Sequence, residues 1–305
     1  MRTIPISATL ATLALAAVTT ACGSTGTPAS GSSGGKVQVV AAENFWGSIA
    51  TQIGGAHAHV TSVITNPDTD PHAYEPTPQD ARTVAQSGYV VINGAGYDPW
   101  AQKLVDANPS SGRVTLTVAN LAGRKEGDNP HMWYSPTIVL KVAHQIATDL
   151  ARVDPNDASY FTQQETAFTT TALARYDELR STIKAKYHGT PVGATESIFV
   201  DLAADLGLDL TTPAEYMKAI SEGNDPTPQD KTTFDGQITQ RQIKVLVFNK
   251  QNSTPDIQAL VDKANAENIP VVAITETLDP ATATFQDWQS GQLDALEKGL
   301  AKASG

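Results

Sequence analysis

From Lys36 onward, short apolar runs alternate with longer stretches of helical period, and this alternation restricts the fold more than any other feature. VQVVAA (37–42), HVTSVI (59–64), YVVING (89–94) and RVTLTVA (113–119) read as buried strands. Between them lie amphipathic stretches over Glu43–Ile53, Thr77–Ser87 and Asp98–Ala107. The second stretch opens with Thr as N-cap, Pro at the first helical position and Asp in the first turn. A βαβα succession predicts a mostly parallel sheet covered by helices. The pattern resumes later with PVGAT (191–195), KVLVFN (244–249) and PVVAIT (270–275). Helices are expected there over 197–206, 227–240, 255–268 and 282–302.

Between the two series lie an amphipathic helix over 136–152 and then Pro155–Tyr187, a run with no Gly and no internal Pro. That run predicts one long helix, well beyond the usual ~11 residues. The expected architecture is α/β: two doubly wound, Rossmann-like lobes with parallel sheets, 36–153 and 190–305, joined by a stiff connecting helix, 154–189. The phrase PTPQD occurs at 76–80 and again at 226–230. It opens a helix in each half, which fits a duplicated lobe plan.

Residues 1–35 stand apart. Arg2 precedes an apolar segment, ISATLATLALAAV, of signal-peptide length and too short to span a bilayer. Cys22, the only cysteine, follows directly and leads into the Gly/Ser-rich TGTPASGSSGG. This resembles a bacterial lipoprotein signal, with residues 1–21 removed, Cys22 lipidated and 22–35 a flexible tether. Thr19 stands where such signals usually carry Leu or Val. The expected location is the outer face of the cytoplasmic membrane. Net charge is −11 over the whole chain, and no basic patch suits nucleic acid.

Ligands of open α/β sheets bind beyond the carboxyl ends of the strands. Four titratable residues qualify: His72 and His131 from the first half, Glu196 and Glu276 from the second. Both histidines sit in matching settings, DPHAY (70–74) and NPHMW (129–133). Proline fixes the backbone before each imidazole, and the aromatic shields it. A carboxylate at a strand end also suits a helix N-terminus, so Glu196 and Glu276 rest on the constellation. His57 and His59 lie on an extended H-x-H pair whose side chains would diverge, so a surface position is expected. His144 and His188 have no partner motif. Trp46, Trp100 and Trp133 are expected in the core or the cleft wall.

DPHAYEPTPQD, NPHMWYSP and the long central helix together resemble the solute-binding proteins of zinc/manganese ABC importers, the ZnuA/TroA-like family. The resemblance runs from Lys36 to the C-terminus. It implies a metal cleft between the lobes, with His72 and His131 as the first two ligands. ESIF…LGL places Glu196 third, where many zinc-binding members have His, and ITET places Glu276 fourth, where Asp is commoner. The His-rich loop of the zinc branch is absent from 120–130. The implied function is extracytoplasmic capture of Zn²⁺, with Mn²⁺ close behind, and delivery to a membrane permease by a monomer. The alternatives are a surface-anchored metallohydrolase and a metal-binding adhesin. No HExxH helix, GxSxG elbow or nucleophilic cysteine supports catalysis.

Overall fold

The computed structural model describes residues 35–304; the signal segment, Cys22 and the tether lie outside the described residues. Two four-stranded parallel sheets are present. The first contains β1 (Val37–Glu43), β2 (Ala58–Ile64), β3 (Tyr89–Ile92) and β4 (Val114–Thr117), in the order β2-β1-β3-β4. The second contains β5 (Pro191–Ala194), β6 (Asp209–Leu210), β7 (Val245–Asn249) and β8 (Val271–Ile274), in the order β6-β5-β7-β8. The two orders are the same, so the halves share one plan. In each, the order reverses beside the first strand, and a crevice opens there at the carboxyl ends.

Central strands are buried on both faces, and β3 is buried at all four positions. One continuous apolar core runs through both halves. It takes Val39, Phe45 and Trp133 from the first half, Val245 and Leu293 from the second, and Phe161, Phe168 and Leu179 from the connecting segment. Two smaller cores cover the outer sheet faces, one around Trp100 and one around Phe234. Residues 35–305 therefore form a single compact unit.

The PTPQD phrase opens a helix in each half. Thr77 caps the helix Pro78–Gln86 and forms a reciprocal capping box with Asp80, and the Thr227 side chain accepts from the Asp230 N–H at the start of Pro228–Thr239.

The connecting segment departs from the single helix expected over 155–187. It starts with a 3-10 turn, Pro155–Asp157, and continues as the α-helix Ala158–Ala167. A π-helical stretch, Phe168–Ala172, precedes the α-helix Ala174–Tyr187. The Thr169–Thr171 run explains the break. The hydroxyls of Thr169 and Thr170 donate to the carbonyls of Glu165 and Thr166 at 3.0 and 2.6 Å, and such back-bonding perturbs the ladder. The Leu173 N–H then reaches the Phe168 carbonyl, one residue further than in an α-helix.

The two-residue strand β6 and the helix Ala214–Ser221 lay outside the expectations. RVTLTVA is strand only to Thr117, after which Val118–Ala122 turns helical. His57 sits in a 3-10 turn rather than on the strand, half-buried, with Nδ1 against the Asp157 carboxylate and its ring near Tyr160. His59 is exposed on β2. Among the described residues no helix is long and apolar enough to cross a membrane.

Candidate metal centre

His72 follows β2 across a loop that Trp100 holds in place. The Trp100 indole Nε1 donates to the Pro71 carbonyl at 2.9 Å, and the Tyr74 ring packs on Trp100. Asp70 caps the loop by accepting from the His72 N–H at 2.8 Å. The His72 Nε2 atom is buried and has no hydrogen-bond partner. A buried ring nitrogen without a partner is costly, and in the tautomer that leaves its lone pair free a cation would satisfy it.

His131 lies beyond β4 and is 1 % exposed. Its Nδ1 lies 2.8 Å from Asn129 Oδ1. The Asn129 amide is oriented by donating its own Nδ2 to the Ser197 carbonyl at 3.0 Å. The oxygen therefore faces the ring, Nδ1 carries the proton, and Nε2 keeps its lone pair for a metal. Burial pushes the imidazole well below its ordinary pKa, and the His72 and Arg124 charges push the same way. His131 is thus neutral, the form that ligates.

Between the histidines stands Tyr97, fully buried, with ring centroids 4.7 Å from His72 and 6.0 Å from His131. It sits in the loop NGAGYD, where Gly94, Ala95 and Gly96 all have positive φ. The Asp98 carboxylate closes that loop by accepting from the Asn93 and Gly94 N–H groups, both at 2.7 Å. Behind it lies Glu43, at the end of β1, fully buried with neither carboxyl oxygen meeting a donor. Burial first, and the neighbouring Asp98 second, push the Glu43 carboxyl well above the ordinary carboxylate range.

Glu276 follows β8 and is 9 % exposed. Tyr97 donates its hydroxyl to Oε2 at 3.0 Å, and Asn249 donates Nδ2 to Oε1 at 2.7 Å. Gln251 accepts from the N–H groups of Glu276 and Thr277 at 2.7 and 3.0 Å. One donor atom each from His72, His131 and Glu276 lie within 4.8 Å of one another.

Glu196 is not part of that trio. It is 1 % exposed, just past β5, and its side chain makes no helix cap, so the N-terminal role open to it from sequence is not the one it takes. Oε2 accepts from Asn252 Nδ2 at 3.0 Å, while Oε1 is buried without a partner. Burial first, and the Glu276 charge second, push its pKa from 4.5 up to about 8. Burial raises Glu276 as well, with His72 and the Tyr97 hydroxyl pulling the other way. Two cavities open onto this centre. One of about 250 Å³ is lined by Asp70, Glu222, Asn252 and Glu276; the other, of about 510 Å³, by Asn129, Ser197, Met217 and Ser221. His72 lines both.

Residues 39–299 match the family model described as zinc-uptake complex component A, periplasmic. The chain belongs to the ZnuA family. A relative, the manganese ABC transporter substrate-binding lipoprotein PsaA of Streptococcus mitis, is 25 % identical over 293 residues, 88 % of this chain and 91 % of that protein. Among solved structures, the Mn-bound periplasmic metal binding protein from Candidatus Liberibacter asiaticus superposes with a TM-score of 0.71 at 20 % identity, over 87 % of this chain and 99 % of that one. A crystal structure of ZnuA superposes with a TM-score of 0.68 at 21 % identity, over 87 % and 98 %. These likenesses establish the two-sheet α/β fold.

Sequence reasoning did not single out Tyr97, Asn129 or the amide run NKQN (249–252), which orients both C-terminal acids. The signal was present: NKQN starts on the last residue of β7 and runs past its carboxyl end, where the crevice opens. Trp46, Trp100 and Trp133 are all buried. His144 is exposed and pairs with Glu165 at 3.0 Å. His188 is exposed, with its ring against Gly207.

Proposed function

We propose that this chain captures a divalent transition metal outside the cytoplasmic membrane, Zn²⁺ first and Mn²⁺ close behind, and passes it to the permease of an ABC importer. The observation that carries the reading is the convergence of His72, His131 and Glu276 within 4.8 Å, with His72 Nε2 buried and unpartnered. Glu196 completes the set when its free Oε1 swings toward the bound ion. Two neutral imidazoles and two carboxylates give a site of charge −2, which a divalent cation neutralises. Borderline nitrogen donors suit Zn²⁺, and the oxygens also serve Mn²⁺. The manganese named for the streptococcal relative supports keeping both ions in view.

Binding and release, not turnover, is the chemistry of such a set. A catalytic zinc keeps an open water position, whereas four protein donors close the shell. The single core shared by both halves makes wide hinge opening costly. Metal exchange is therefore assigned to local movement of the His72 and Glu196 loops, which border the two cavities. Lipidation of Cys22 and the 22–35 tether would keep the monomer beside its permease.

Calorimetry and native mass spectrometry with Zn²⁺ and Mn²⁺, on the chain from Lys36, test this reading. One ion per chain is expected, with loss of tight binding in His72→Ala and in Glu276→Ala. Undiminished binding by His72→Ala removes the proposed site.

A further inference from the structure

The four carboxylate oxygens of the proposed site are not equally free. Glu276 accepts a hydrogen bond on each oxygen, from Asn249 and from Tyr97. Glu196 accepts on Oε2 alone, from Asn252 Nδ2 at 3.0 Å. Its Oε1 is the one carboxylate oxygen in the group with no donor, and it is buried. Asn252 ends the 3-10 turn Lys250–Asn252 beyond β7, and the same Nδ2 lies 3.5 Å from the Ile220 carbonyl. Both acceptors face one amide, so the turn and the Ala214–Ser221 helix together fix where that N–H group points.

We propose that Asn252 sets how many oxygens Glu196 gives to the metal, and through that the preference for Zn²⁺ over Mn²⁺. This rests on the assignment of Glu196 as a ligand in the proposed function. With Oε2 bonded to Asn252, the amide fixes the orientation of the carboxylate and Glu196 reaches the ion through Oε1; a hydrogen-bonded oxygen keeps a second lone pair, which is how Glu276 still ligates. The shell is then two imidazole nitrogens and two single oxygens, the four-donor tetrahedral set that suits Zn²⁺. Mn²⁺ favours a larger, oxygen-rich shell. Chelation through both oxygens of Glu196 would need the carboxylate to turn away from Asn252. The amide is thus a positioning group that restrains the site toward low coordination. Asn252 is half-buried and lines the 250 Å³ cavity, so its loss admits water rather than leaving a sealed void.

The test compares Zn²⁺ and Mn²⁺ dissociation constants, by competition calorimetry on the chain from Lys36, for the parent and for Asn252→Leu, which keeps the volume and deletes the donor. The Zn²⁺/Mn²⁺ affinity ratio should fall by about tenfold, the lower end of outer-shell effects. Co²⁺ substitution gives an independent readout. The intense visible absorption of four-coordinate Co²⁺ in the parent should weaken in the variant as its coordination number rises. In a Glu196→Gln background the same substitution should leave the ratio unchanged. Asn252→Ala reads the same ratio if leucine disturbs the turn. An unchanged ratio, a parallel loss for both metals, or a shift that persists with Glu196→Gln overturns the role of Asn252 while leaving the metal site standing. A parent that binds neither ion overturns the proposed function itself.

Discussion

Glu196→Gln should make the metal-free protein more stable while weakening its hold on metal. The carboxyl of Glu196 titrates near 8 instead of 4.5, because it is buried and faces Glu276. Below pH 4.5 the group is protonated in both the folded and unfolded chain and costs nothing. As pH rises, the unfolded chain releases the proton first, so the folded state loses stability until the folded group ionises near 8. The 3.5-unit gap corresponds to at most roughly 5 kcal/mol across that window, of which about 3 kcal/mol is lost by pH 7. Glutamine keeps the shape and the Asn252 contact but cannot ionise, so it escapes this cost. Metal reverses the sign for the parent: binding requires the ionised carboxylate, so affinity should climb with pH up to about 8 as proton competition fades.

Urea unfolding in the presence of a chelator, from pH 5 to pH 9, measures the first half of this prediction. The parent curve should fall through the window, and the variant should lie above it with a flatter slope. Calorimetry in buffers of different ionisation enthalpy measures the second half by counting protons released per metal bound. Parallel stability curves for parent and variant, with no proton released at pH 7, would refute the assignment of Glu196 as a buried neutral acid.

Three other perturbations probe the groups around the site. Asn129→Leu removes the acceptor that fixes the His131 tautomer and should weaken metal binding about 10- to 100-fold, read by calorimetry, with the fold intact by circular dichroism. Trp100→Phe deletes the hydrogen bond to the Pro71 carbonyl; about 1 kcal/mol of stability and about tenfold in affinity should go with it as the His72 loop loosens, measured by urea unfolding and calorimetry. Asn44→Ala leaves the buried Leu278 N–H without its acceptor and should cost about 1–3 kcal/mol in the same unfolding assay.

What the sequence disclosed follows the range of the forces involved. Both PTPQD helix starts were legible because a cap is local: a threonine, a proline and an acid three residues on suffice. The histidines were legible because each is framed by its own neighbours in Pro-His-x-aromatic. The orientation of Glu196 was not legible, since the amide that holds it lies 56 residues away. Tyr97 is the same case on a larger scale, because its partner Glu276 is 179 residues distant. The β6 strand has two residues, too few for any period to register. The π-helical stretch at 168–172 carries back-bonding threonines, Thr169 and Thr170, that a search for Gly and Pro passes over.

The two halves share a strand order but divide the chemistry, and burial explains the division. Imidazole loses its charge when buried, so the first half can enclose His131 without a counter-ion and leave it neutral. Carboxyl groups lose theirs too, but only by holding a proton. The second half therefore surrounds its acids with amides, Asn249 and Asn252, which favour the ionised form. These amides offset burial only in part, so Glu196 still sits at about 8 and, on the proposed function, gives up its proton as the cation arrives. Across the seam, helix 44–54 presents Asn44, Ser48 and Gln52 on one face to Leu278, Phe285 and Gln286. Three polar rungs at four-residue spacing brace the segment that carries Glu276 against the half that carries both histidines. Glu276 is thus the more firmly held of the two acids, while Glu196 is held by one amide on a turn. On the proposed function, capture and release then use local movement of Glu196 and the His72 loop rather than wide separation of the two halves.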